Sequence, residues 1–164
     1  MNKIVIRQAE AGDIREIRAL LNETWHATYD EVFGPGKVDE YCEFWHSIET
    51  LAKRIEMGNT VMLVAHRDDL AVATACASHE PRAKMTLKQL YVKPDHQGTG
   101  IGSALYEHLL ELMPPFKRIE LEVEPGNKGA IAFYQKHGFQ VTGMVDDCGG
   151  TGDLIKALLM TRNS

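Results

Sequence analysis

Gln97-Gly98-Thr99-Gly100-Ile101-Gly102 is the stretch whose reading decides the fold. An apolar, strand-like run from Met85 to Val92 leads into it through the turn Lys93-Pro94-Asp95-His96, and an amphipathic run from Ile101 to Met113 leads out. Glycine at every second position leaves the backbone uncovered and permits a tight turn into a helix. The first N–H groups of a helix have no acceptor within it and sit at the positive end of its dipole. A strand, a bare glycine loop and a helix start therefore make an anion site, most often for phosphate.

Working outward, the chain predicts alternating elements. Ile4-Val5-Ile6-Arg7 is a β-branched first strand. Asp13 and Glu16 have capping-box spacing ahead of Ile14, Ile17, Leu20 and Leu21, which predicts a helix from about Ile14 to Trp25. Thr24 to Tyr29 and Phe33-Gly34-Pro35-Gly36 follow. Asp39–Trp45 reads as a short helix, and Ser47 or Thr50 caps another carrying Leu51, Ile55 and Met57. Val61–Ala65 and Leu70–Ser78 form a hairpin across His66–Asp69, and His79–Arg82 reads as a loop. After the glycine loop, Ile101, Leu105, Leu109 and Leu112 make one apolar stripe, which Pro114-Pro115 ends. Ile119, Leu121 and Val123 alternate with glutamates. Asn127 caps a last helix that ends at Gly138, and Phe139–Val141 and Leu154–Met160 close the order as strands around the acidic loop Asp146–Asp153. The order β-α-α-α-β-β-β-α-β-α-β-β is a mixed α/β sandwich, with hairpins giving antiparallel pairs and one strand–helix–strand unit giving a parallel or splayed pair.

At 164 residues, with 44% hydrophobic and 25% charged residues, the chain reads as one soluble globular domain. No apolar run is long enough to span a bilayer, and Met1–Arg7 lacks the apolar core of a signal peptide, so a cytoplasmic location is expected. A net charge of −5 argues against a broad nucleic-acid surface and suits a cationic substrate. Cys42, Cys76 and Cys148 are widely spaced with no CxxC pair, which points to reduced thiols with neither a metal nor a disulfide framework.

Three phosphate ligands compete for the loop. A nucleoside triphosphate site needs a lysine after the last glycine, where Ser103-Ala104 stands. A dinucleotide fingerprint would use Gly98 and Gly100, with Glu120 or Glu122 at the ribose, but Ser103 occupies its third glycine position and hairpin strands precede it. The third is carried by two motifs together. Gln97-x-x-Gly100-x-Gly102 behind Leu90-Tyr91-Val92, with Asn127-x-x-Ala130-x-x-Phe133-Tyr134-x-x-x-Gly138-Phe139 downstream, resembles the GNAT N-acetyltransferase superfamily across residues 85–143.

The resemblance implies a mostly antiparallel sheet with a splayed parallel strand pair and helices on both faces. It implies acetyl-CoA as cosubstrate and direct acetyl transfer to a primary amine, with no metal. The loop Gln97, Gly98, Thr99, Gly100, Ile101 and Gly102 would hold the pyrophosphate. The backbone of Leu90, Tyr91 and Val92 would pair with the pantetheine arm, and the N–H of Val92 or Leu90 would polarise the thioester carbonyl. Asn127 would contact the pantetheine region or start its helix. Tyr134 would belong to the cofactor site beside the CoA sulfur and give a proton to the leaving thiolate, a role that suits a phenol protonated at pH 7. Many family members place a carboxylate on the strand before the loop. Here Lys88-Gln89 stands there, which leaves Glu120, Glu122, His26 and His79 as base candidates. Trp25, Tyr29 and Phe33 either wall an acceptor pocket or pack a helix end on the core, and the acidic loop could draw a cation. The acceptor implied is a small-molecule amine or polyamine. A protein or peptide amine, and a CoA-binding module without activity, are the alternatives. Acceptor-side elements then occupy about 1–60, the acetyl-CoA core about 61–143 and the closing strands about 139–162 of one 1–164 domain, with a homodimer as the implied assembly.

Overall fold

A computed structural model of the chain describes residues 3–148, 152 and 155–164. Seven strands form one sheet in the order β1-β2-β3-β4-β5-β7-β6. They are β1 (Ile4–Gln8), β2 (Thr60–Arg67), β3 (Leu70–Glu80), β4 (Lys84–Val92), β5 (Arg118–Val123), β6 (Gln140–Val145) and β7 (Ala157–Asn163). The helices are α1 (Ile14–Phe33), α2 (Pro35–His46), α3 (Ile48–Glu56), α4 (Ile101–Leu112) and α5 (Lys128–Lys136). The element order is the one the sequence predicts, and the mixed α/β class with one parallel strand pair is observed. Leu154, Asp153 and Met1-Asn2, which the sequence reading assigns to a strand, the acidic loop and the N-terminal segment, lie outside the described residues.

The chain divides into two compact units: residues 1–78 with 89–113, and residues 79–88 with 114–164. In the first, β1 pairs antiparallel with β2, and β2 with β3, through a two-residue turn at Asp68 and Asp69. Both aspartates have positive φ (50° and 65°), the twist that matches a tight hairpin. β2 is buried on both faces. Met62 and Val64 join Ile14, Ile17, Leu20, Leu21 and Leu51 of α1 and α3, while α4 packs against β1 and β2 with Ile101, Leu105, Tyr106 and Leu109 buried. Tyr106 thus takes the place expected for Leu112, which is 38% exposed. A second cluster joins α1 to α2 through Tyr29, Val38 and Cys42.

Several expectations are corrected. α1 does not stop near Trp25 but runs on to Phe33 and ends at Gly34, whose φ of 86° breaks the helix. α2 is longer than Asp39–Trp45 and opens with Pro35 in its first turn. The Asp13–Glu16 capping box does not form. The Asp13 carboxylate instead receives two bonds from the Arg7 guanidinium, at 2.7 and 2.8 Å, and one from the Glu10 N–H, while Glu16 accepts from the Ala71 N–H at 2.7 Å. These partners hold Asp13 down at a pKa of about 2, the Arg7 bond being the main cause. β3 continues through His79 and Glu80 before the chain turns. Ser47 does cap α3, accepting from the Thr50 N–H.

In the second unit, β4 and β5 pair parallel from Lys84↔Arg118 to Thr86↔Glu120, a three-residue ladder although both strands run on. This is the splayed parallel pair. β5, β7 and β6 then pair antiparallel. Ile119, Leu121 and Val123 are buried and their glutamate neighbours are not, as the alternation predicts. Gly138 takes φ 90° after α5 and delivers Phe139, 2% exposed, into the core.

Candidate functional site

In the first unit the site grows from the end of β4. The Lys93 N–H donates to the Val72 carbonyl at 2.8 Å, tying the strand exit to β3. A 3-10 turn at Pro94–His96 reverses the chain. The Gln97 side chain then donates from Nε2 to the Val92 carbonyl at 3.0 Å, and the Thr99 hydroxyl donates to the His96 carbonyl. Two short side-chain bonds thus fold the loop back on the strand it left. Gly98 and Gly100 have φ of 74° and 86°, left-handed conformations that cost an ordinary L-residue about 1–2 kcal/mol. A Cβ built on either meets no atom within 4 Å. Glycine is required there by conformation, and the space beside it is open. Gln97, Gly98, Thr99 and Gly100 are exposed, α4 starts at Gly100 without a side-chain cap, and its first turn carries no acidic residue. This cradle fits an anion.

Leu90, Tyr91 and Val92 are partly buried at the strand end. Tyr91 faces Trp25 with ring centroids 6.3 Å apart. Trp25, Tyr29 and Phe33 are spaced four residues apart on α1 and stack along it, at 4.6 and 5.7 Å. They differ in exposure. Tyr29 is 5% exposed and belongs to the α1–α2 cluster, whereas Trp25 and Phe33 are partly exposed. Trp45 of α2, which sequence reasoning missed, lies 5.2 Å from Trp25.

His26 stands between two carboxylates, with Nδ1 2.6 Å from Asp30 and Nε2 2.8 Å from Asp39. The Asp30 bond, then the Asp39 bond, raise its pKa against the cost of burial. A carboxylate at each nitrogen favours the protonated ring, which links α1 to α2.

Under these rings sits a polar group that no motif announces. His46 is 4% exposed with Nδ1 buried and unpartnered, 5.5 Å from Trp25 by ring centroids. Burial, then the Arg54 charge, push its pKa down to about 3, so it is neutral. Gln89 is 3% exposed, and its Oε1 accepts from Arg54 Nη1 at 3.0 Å. The signal available for Gln89 was its register: Met85, Leu87, Gln89 and Tyr91 share one strand face, and a polar residue falls at a buried position of it.

In the second unit, Asn127 caps α5 with its own side chain, accepting from the Ala130 N–H at 3.2 Å. Tyr134 lies about two turns further along α5, partly buried, with its ring 5.4 Å from Phe133 and 5.7 Å from Phe139. Glu120 is paired with Lys84 and Arg118. Asp147 accepts from the Gly152 N–H, and Asp146 is exposed. The thiols are poor nucleophiles, since burial raises Cys42 to about 11 and Cys148 to about 12.

The model of the acetyltransferase (GNAT) family matches residues 15–139, which include both the glycine loop and the Asn127–Tyr134 helix. The chain belongs to the GNAT family. Among relatives of this GNAT chain, peptidyl-lysine N-acetyltransferase YjaB of Escherichia coli (strain K12) is 42% identical over 62 residues, 37% of this chain and 40% of that one. Spermidine N(1)-acetyltransferase of Thermoplasma acidophilum is 26% identical over 147 residues, 84% of this chain and 89% of that one. The chain spans about two-fifths of the length of the first curated relatives it matches. The PaiA N-acetyltransferase of Thermoplasma acidophilum in complex with coenzyme A has the same fold, with a TM-score of 0.86 at 22% identity over 99% of each chain.

Proposed function

We propose that this chain is an acetyl-CoA-dependent N-acetyltransferase acting by direct transfer on the primary amine of a small molecule or polyamine. The bare, folded-back cradle at the start of α4 carries the reading. Acetyl-CoA supplies an acetyl group activated as a thioester. The N–H groups of Gln97–Gly102 bind the pyrophosphate, aided by the helix dipole. The backbone of Leu90–Val92 orients the pantetheine amides by strand addition, and the N–H of Leu90 or Val92 polarises the carbonyl. Asn127 supports the reading by fixing the start of the helix that bears Tyr134. The Tyr134 hydroxyl holds the proton that the sulfur takes up.

Trp25 and Phe33 wall the acceptor side, with Tyr29 as packing behind them. The spermidine-acetylating relative favours the small-molecule reading, because its match is long enough to reach into the first 60 residues. The short match to a peptidyl-lysine acetylase favours a protein amine. A cytoplasmic location and a homodimer belong to the same reading. Among the described residues no helix is long and apolar enough to cross a membrane.

The test is a thermal melt with acetyl-CoA, CoA, NADH and ATP in parallel, then an amine panel read by thiol release. A ligand at 100 times its Kd stabilises the fold by about 2.7 kcal/mol. Stabilisation by acetyl-CoA and CoA alone, with thiol released by one amine class, is the expected result. Stabilisation by NADH or ATP instead overturns the cofactor. CoA binding with no amine acetylated favours a module without activity.

A further inference from the structure

Five residues of the first unit are linked in a ring by a hydrogen bond, strand register, ring contacts and charge. Arg54 of α3 donates to Gln89 of β4, and Gln89 shares a strand face with Tyr91. Tyr91 faces Trp25 of α1, Trp25 faces His46 at the end of α2, and the Arg54 charge acts on His46. The polar atoms left over in this ring are mostly donors. Arg54 has no acceptor atoms, so the Gln89 oxygen must face it, and the amide Nε2 is turned elsewhere. That Nε2 is buried and unpartnered, and so is the donor-only Nε1 of Trp25. Arg54 is partly buried and, among the described residues, pairs with no carboxylate. Its place in the last turn of α3 accounts for a positive charge there. It does not account for a guanidinium bonded to a neutral amide whose own Nε2 is left without an acceptor. Buried donors without acceptors are costly, at about 1–3 kcal/mol each, and a site that keeps them gains when an acceptor arrives.

We infer that Arg54 and Gln89 form a seat for a carboxylate carried by the acceptor amine. This rests on the acetyltransferase reading and narrows it: among small amines it selects amino acids over diamines and polyamines. A planar carboxylate suits a guanidinium edge, with a further amide N–H donor on the side chain that the guanidinium already bonds. Gln89 Nε2 lies beneath the surface, so seating it requires a rotamer change of a partly exposed neighbour such as Trp45 or Tyr91.

Matched pairs differing only in the carboxylate test the seat: lysine against cadaverine and ornithine against putrescine. Each is titrated calorimetrically into the full chain saturated with CoA, and kcat/KM is measured with acetyl-CoA. The amino acids are expected to bind ~10-fold tighter or more, the worth of one charge-assisted hydrogen bond. In Arg54→Met the preference collapses through KM, Arg54→Lys restores part of it, and stabilisation by acetyl-CoA persists as the check on folding. Equal or tighter binding of the diamines, binding of neither member, or a preference that survives Arg54→Met overturns the seat. Loss of acetyl-CoA stabilisation in the unaltered chain would instead sink the cofactor reading, while the calorimetric comparison still judges the seat.

Discussion

Two strand–turn–helix passages, β4 into α4 and β5 into α5, begin their helices in opposite ways. α5 is capped by Asn127, whose side-chain oxygen accepts from the Ala130 N–H at 3.2 Å. α4 begins at Gly100, left-handed and without a side-chain cap, and its loop is held by Gln97 and Thr99 bonding to carbonyls of the chain behind it. Both ends face the same physical problem, first-turn N–H groups with no acceptor in the helix. At α5 a side chain inside the chain answers it. At α4 the polar side chains are spent on carbonyls, so the donors and the positive end of the dipole face outward. Two helices of similar origin are thereby specialised. One leaves its N-terminus bare, as the proposed pyrophosphate site requires, and the other is fixed at its start by its own side chain, ahead of Tyr134.

The largest effect expected from this division lies in Tyr134→Phe. If α5 contributes a proton donor, kcat falls roughly 100-fold or more, and the high-pH limb of the rate profile that belongs to a phenol disappears. Acetyl-CoA stabilisation should change little, because the proposed pyrophosphate cradle at α4 and the Leu90–Val92 backbone are left intact. Steady-state kinetics from about pH 6 to about pH 11, through the range of a phenol, with a parallel melt measure both. Full turnover in the variant would leave α5 a packing helix only.

Gly100→Val attacks the other half. The left-handed backbone at Gly100 disfavours a β-branched residue, so a stability loss of about 1–2 kcal/mol is expected in denaturant unfolding. A Cβ there meets no protein atom within 4 Å, so the new side chain is expected to cover the open side of the cradle. Acetyl-CoA affinity should therefore fall by roughly tenfold or more, measured by calorimetry. Loss of stability with unchanged affinity would separate the glycine from the ligand.

The same contrast explains what was legible beforehand. The cradle was readable because positive φ demands glycine and a helix start demands its place directly after a strand; both are local rules. α1 was read too short for a local reason as well, since Thr24, Thr28 and aromatic residues are weak helix formers. Thr24 and Thr28 instead turn their hydroxyls to the carbonyls of Leu20 and Thr24, at 2.8 Å each, and Trp25, Tyr29 and Phe33 gain more from packing on α2 than propensity loses. The Asp13–Glu16 spacing misled because Arg7 and the Ala71 N–H, one distant in sequence, are better partners for those carboxylates. The Arg54–Gln89 bond joins residues 35 apart, and no spacing rule announces it. What local chemistry dictates could be read; what the tertiary fold brings together could not.

Asn127→Ala tests the capped end. Removing an N-cap oxygen costs about 1 kcal/mol, so a modest drop in unfolding free energy is expected, with acetyl-CoA affinity lowered far less than in Gly100→Val. An affinity loss as large as that of the glycine variant would mean that Asn127 serves the ligand and not the helix, and the contrast between the two starts would fail.

Gly100→Asn sharpens the contrast most finely. Asparagine visits the left-handed region more readily than other L-residues, so the strain that Val brings is largely absent and stability should fall by only about 0.5 kcal/mol. Its amide nevertheless covers the same open side and offers a carbonyl oxygen to nearby donors, which makes the α4 start resemble the α5 start. If bareness is what leaves the cradle open to an anion, acetyl-CoA affinity should fall a few-fold in a chain that melts almost like the unaltered one. If affinity is retained, then the left-handed turn alone builds the site, and glycine is there for its φ and not for the space it leaves. Calorimetric titration beside a denaturant curve distinguishes the two, because strain registers in the second measurement and cover in the first.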